Sequence, residues 1–169
     1  MSEKSVNEAV SFGARLASSQ AFADLFRDGM ALVEETAAYL DGAGRQESKK
    51  LERNAALAYA TESMRLTTRL MQLASWLLLH RAVKEGEMSL AQANKEKAKV
   101  KLATSEHNDE QNIKLLPERL RALIQRSKVL QSAVRRLDAT IHAAVPTRID
   151  RGNPVERQLG LLKAAFERE

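Results

Sequence analysis

"LASWLLLHRAVKEGE", residues 73–87, is the most apolar stretch of the chain, and it runs directly into a histidine and an arginine. Three readings compete for it: a membrane anchor, the floor of an active site, or core. The apolar run covers only residues 70–79 and contains Gln72 and Ser75. Arg69 closes it on one side and His80 with Arg81 on the other. A membrane-spanning helix needs about twenty apolar residues, so the run is too short to be an anchor. It reads instead as a helix buried on most sides, with Leu73, Trp76 and Leu77 facing a core and Gly86 ending it.

Outward from this stretch, residues 48–85 contain no proline or glycine. Leu51, Ala55, Ala58, Met64, Leu70, Leu73, Leu77 and Leu78 mark a broad apolar face on one long helix. Before it, Ser18 or Ser19 can cap a first helix on which Phe22, Phe26, Leu32, Val33, Thr36 and Leu40 recur at helical spacing. "DGAG", residues 41–44, ends that helix, with Gly42 or Gly44 available for a left-handed C-cap. The same glycines lack the spacing of a dinucleotide or phosphate loop, and no strand precedes them. At 1.5 Å per residue the second helix would be roughly 57 Å long against roughly 33 Å for the first. Part of it must therefore overhang and find another partner.

"SLAQ", residues 89–92, is a capping box, serine at N-cap and glutamine three positions on. It opens a short helix carrying "KEKAKVK", residues 95–101, which fades into the polar "ATSEHNDEQN". Leu115, Leu116 and Pro117 open a last long helix, proline being well suited to a first turn. Leu120, Leu123, Ile124, Leu130, Val134, Leu137 and Ile141 hold one stripe until Pro146. The composition then changes. "PTRIDRGNP" reads as linker, after which Val155, Leu159, Leu162 and Phe166 follow at steps of four, three and four. That face is apolar, on a segment too short to be a stable helix alone. It either docks on its own bundle or serves as a partner-binding peptide for a groove elsewhere.

The expected fold is all-α: an antiparallel three-helix bundle with a short extra helix between helices two and three. Residues 1–18 are expected to form a flexible N-terminal segment, 19–145 the bundle domain and 146–169 a flexible C-terminal tail. Composition agrees. In 169 residues there are 26 alanines, 7 glycines, 3 prolines and 4% aromatics, which favours long helices over a β-sandwich. The absence of cysteine excludes disulfides, thiolate metal sites and cysteine nucleophiles. The first residues carry no uninterrupted apolar run of the secretory kind, so a cytoplasmic protein is expected.

Little points to catalysis. His80, His107 and His142 belong to no H-E-x-x-H or carboxylate cluster, so no metal site and no cofactor is expected. His80 reads as a residue near a helix C-terminus, where an imidazole suits the dipole. No G-x-S-x-G elbow is present, and Glu34 with Glu35 reads as a solvated pair. The protein is expected not to be an enzyme. The net charge of +5 raises a basic helical nucleic-acid-binding protein as the alternative function. Arg119, Arg121, Arg126, Lys128, Arg135 and Arg136 spread around the polar side of the last helix, however, and no aromatic lies between Trp76 and Phe166 to stack a base. Nucleic acid is therefore an unlikely partner.

Three pieces together resemble one family. "EETAAYLDGAGRQES" (residues 34–48), "SWLLLHRAVKEGEMS" (75–89) and "LPERLRALIQRSKVLQSAVRRLD" (116–138) are similar to the alphaproteobacterial RcdA family, the regulators of CtrA degradation. The likeness covers about residues 22–138 and leaves out the tail. It implies a homodimeric, non-enzymatic adaptor that helps the ClpXP protease degrade cell-cycle regulators such as CtrA. The implied partners are the ClpX unfoldase, the single-domain response regulator CpdR and the cyclic-di-GMP effector PopA, with cell-pole localisation. No catalytic residue comes with the family. A tether of this kind acts by replacing bulk concentration with an effective one, up to millimolar for short linkers. From the residues themselves, the partner-binding positions expected are Val155, Leu159, Leu162 and Phe166, and the homodimer is expected to form through helices two or three to bury the overhang.

Overall fold

The computed structural model describes residues 19–99 and 110–143, and all regular structure among them is helical. Ser19 is extended, and its hydroxyl accepts the Phe22 backbone N–H, so the serine cap starts α1 (Gln20–Asp41) where the sequence places it. A short α2 (Ala43–Ser48) follows. Neither Gly42 (φ −108°) nor Gly44 is left-handed. Gly42 is still the C-cap that ends α1, its N–H donating to the Ala38 and Tyr39 carbonyls, and α2 starts directly after it. The reversal expected at residues 41–44 is shared with a second break at residues 49–52, so α3 begins at Arg53 and runs to Lys84. Its 32 residues give about 48 Å instead of 57 Å.

Gly86 does take the left-handed conformation, φ 75°, two residues past the end of α3. The capping box is complete: Gln92 N–H donates to Ser89 Oγ at 3.2 Å, and Ser89 N–H donates to Gln92 Oε1 at 3.0 Å. It starts α4 (Leu90–Lys99). A one-turn α5 (Glu110–Lys114) occupies part of what reads as polar loop. Pro117 then sits just ahead of α6 (Glu118–Ala143), where its carbonyl accepts the Arg121 N–H at 3.1 Å.

The three long helices α1, α3 and α6 each pack against the other two. Phe22, Leu32, Tyr39, Leu66, Leu73, Trp76, Leu77, Leu120, Leu123, Val134 and Ile141 meet between them, all almost fully buried. Gly29 is required where α1 presses on this core, because a Cβ there would lie 2.6 Å from Leu77 Cδ1.

The helix directions depart from the expected antiparallel bundle, in which successive long helices alternate and the first and third run parallel. Phe22 meets Trp76 whereas Gly44, just past the other end of α1, meets Tyr59; Glu35 meets Arg126 whereas Tyr39, further on, meets Arg119, so α1 runs against both partners. Arg69 donates to Ser127 and Trp76 donates to Asp138, however, and these pairs advance together along both helices. Helices α3 and α6 are therefore parallel. The segment carrying α4 and α5 is the return connection: α4 lies along the C-terminal part of α3, with Ala93 fully buried and Lys97 ion-paired to Asp138. A parallel pair cannot be joined by a tight turn, which is why the extra helix exists.

Candidate interaction surfaces

Helix α3 is apolar on two opposite sides. Its inner side carries Ala58, Leu66, Leu70, Leu73, Trp76 and Leu77. Its outer side carries Leu57, Met64, Met71 and Leu78, which are 69%, 72%, 67% and 52% exposed. These four follow at steps of seven, so they drift by only about 20° per step and form one straight stripe. The stripe lies about 180° from the core and extends over about 32 Å. The residues between them are small: Ala60, Thr61, Thr67, Thr68, Ala74 and Ser75. The single broad apolar face expected from the sequence is therefore two stripes: Met64 and Leu78 lie opposite Leu70, Leu73 and Leu77, and the step of seven separates them.

Near Leu78 the stripe meets α4. Ser75, Leu78, Leu79 and Ala82 on one side, with Glu96 and Lys99 on the other, line a shallow, open recess of about 330 Å³. On the face of the bundle away from α3, a second apolar groove of about 470 Å³ runs between α1 and α6. Its floor is Leu32 and Leu130, both buried, and its walls open because Ala31 and Ala133 are small. Val129, 60% exposed, stands at its edge. Nothing in the periodicity of α1 or α6 taken singly marks this groove, because it exists only where the two helices meet.

His80 is not poised for chemistry or for the helix end. It is fully buried, stacked on Trp76 with ring centroids 3.9 Å apart, and its Nδ1 lies 3.0 Å from the Trp76 carbonyl oxygen. Above it, Arg81 lies over the Phe26 ring and bonds Glu85 at 2.9 Å. His107 lies outside the described residues, as do the side chain of His142 and all four expected partner-binding positions, Val155, Leu159, Leu162 and Phe166. Among the described residues no group of three His, Cys, Asp or Glu side chains is placed to hold a metal ion. Among them also, no helix is long and apolar enough to cross a membrane.

The basic residues are divided among separate tasks. Arg126 pairs with Glu35 at 2.6 Å, which makes Glu35 half of a bridge from α1 to α6. Arg119 lies over the ring of Tyr39. Tyr39 in turn donates its hydroxyl to Glu47 at 2.7 Å, fastening α2 to α1. Burial, joined by that hydrogen bond and the Glu47 charge, holds the Tyr39 phenol well above its usual range, and burial raises Tyr59 as well.

A family model described as "Protein of unknown function (DUF1465)" matches residues 13–166. The crystal structure of RcdA from Caulobacter crescentus is similar at 55% sequence identity, over 76% of this chain and 96% of that one, with a TM-score of 0.63. No curated protein matches the chain.

Proposed function

The chain belongs to the RcdA family, and on that premise we propose that it is a non-enzymatic protease adaptor that helps deliver CtrA and other cell-cycle regulators to ClpXP. The observation that carries this reading is the 55% identity extending over 96% of RcdA. ClpX, CpdR and PopA are the proposed partners, and the cytoplasm with the cell pole the proposed place of action. Tethering needs two or more modest docking surfaces and no reacting group, which suits a bundle with separate apolar surfaces on opposite faces. In a reconstituted reaction with ClpXP and CpdR, adding the protein should accelerate loss of CtrA or of another regulator. An unchanged rate for every regulator tested overturns the proposal. The nucleic-acid alternative would instead give tight binding at physiological salt that falls steeply as salt rises.

The outer stripe of α3 supports a homodimer. Its midpoint falls between Thr67 and Thr68, so two copies placed antiparallel about a two-fold axis there set Leu57 against Leu78 and Met64 against Met71. The small residues around the axis let the backbones approach closely. The exposed Leu57 of one copy arrives at the recess beside Leu78 of the other. Arg53 of one copy comes within reach of Glu85 of the other at the two ends, which complements charge. Val155, Leu159, Leu162 and Phe166 remain the proposed contacts to protein partners.

A further inference from the structure

With the outer stripe of α3 assigned to a second copy, the groove between α1 and α6 stays open on the opposite face. Its mostly apolar lining can seat an apolar segment. We propose that its resting occupant is the chain's own C-terminal stretch, residues 155–166, docked in cis.

Four observations converge on this occupant. First, the groove is walled by the same helix from which the tail departs. Helix α6 is described to Ala143, and the groove residues Gln125 to Ala133 lie on it, about 15–27 Å back along the axis. Second, the eleven residues 144–154 contain Pro146, Gly152 and Pro154. Extended, they span up to about 36 Å, enough to reverse direction and reach the groove. Third, the apolar positions 155, 159, 162 and 166 lie on one helical face about 17 Å long, comparable with the wall of about 12 Å from residue 125 to residue 133. Fourth, the groove is mostly apolar, with Leu25, Leu32, Val129 and Leu130 facing it and charge confined to Asp28 and Arg126. A helical segment this short is not stable in water alone. Attached to its site, it acts at an effective concentration up to millimolar, so weak contact suffices.

Docking in cis has a consequence for the adaptor, and only this consequence rests on the function proposed above. Leu159 and Leu162 cannot meet a partner while they lie on Leu32 and Leu130. A partner must draw the tail out of the groove, so the groove restrains delivery until a partner is at hand.

The chain has no cysteine, so two introduced cysteines report on one distance. In the full-length protein, Val129→Cys with Leu162→Cys should oxidise to a disulfide within one chain. The control is Arg135→Cys with Leu162→Cys. Arg135 is exposed on the other side of α6 and is nearer the point where the tail departs. A tail with no preferred seat would therefore join residue 135 faster. Cis docking predicts at least about tenfold faster closure at 129, abolished by Leu159→Asp. Equal rates, the reverse order, or a 129–162 bond found only between chains overturns the inference. None of these outcomes depends on proteolysis, so failure here is distinct from failure of the adaptor reading.

Discussion

Trp76 donates its indole N–H to Asp138 across 2.9 Å, and the other carboxylate oxygen of Asp138 takes the ammonium of Lys97. One side chain on α6 thus ties down the core tryptophan of α3 and the return helix α4. Asp138→Ala leaves an indole N–H and a partly buried ammonium without this acceptor. Unfolding free energy should fall by about 1–3 kcal/mol. Chemical denaturation measures it, and a midpoint equal to wild type would mean that water replaces the carboxylate without loss.

Leu77 is buried in the core against Gly29, where an added Cβ would have no room. Truncating it to alanine removes buried methyl groups and leaves a cavity among helices that close only partly. Leu77→Ala should cost about 2–5 kcal/mol. A melting curve within a degree of wild type would place Leu77 outside the core.

These two sites differ in how far the sequence discloses them. Leu73, Trp76 and Leu77 are legible because a helix buried on one side repeats its apolar residues every three or four positions. The Ser19 cap, the Ser89–Gln92 box and Gly86 are legible because each satisfies backbone groups within a few residues. The break at residues 49–52 is not. It contains neither proline nor glycine, and Glu52 begins α3 without a side-chain cap. The parallel run of α3 and α6 is hidden for the same kind of reason, since Trp76–Asp138 and Arg69–Ser127 join residues about sixty positions apart. The candidate surfaces divide likewise: the step of seven at 57, 64, 71 and 78 is written in one helix, whereas the α1–α6 groove needs two.

Both tyrosines of the chain have raised phenol pKa values. Their folded-state values exceed the unfolded value near 10, so the folded protein holds these protons more tightly. The stabilisation is complete below about pH 10 and is lost as pH rises through the raised values. Tyrosinate absorbance should therefore appear late and together with unfolding. Tyr39→Phe should flatten the alkaline decline in stability. A free phenolate titrating near pH 10 in the folded protein would contradict this.

The dimer proposal makes the outer stripe of α3 the place to break association without harming the fold. Met64 and Met71 are about two-thirds or more exposed, so Met64→Glu with Met71→Glu should preserve the helical content of the monomer. Sedimentation at tens of micromolar should show a dimer for the wild type and a monomer for the variant. A wild-type monomer refutes self-association, and a variant that stays dimeric moves the interface elsewhere.

The groove and the tail predict changes of opposite sign in one assay. Leu159→Asp with Leu162→Asp removes the partner-binding face, so delivery of CtrA to ClpXP should fall. The melting temperature should change little, because a weak cis contact contributes little to a bundle whose core lies elsewhere. Val129→Asp places a charge at the groove's edge on a residue already exposed, which frees the tail without altering it. Delivery at limiting adaptor should then rise, again with little change in melting temperature. Loss of delivery in both variants would make the groove itself a partner site. A clear fall in melting temperature for the tail variant, with unchanged delivery, would mean that the tail is a structural part of the bundle, since two buried leucines had become charged.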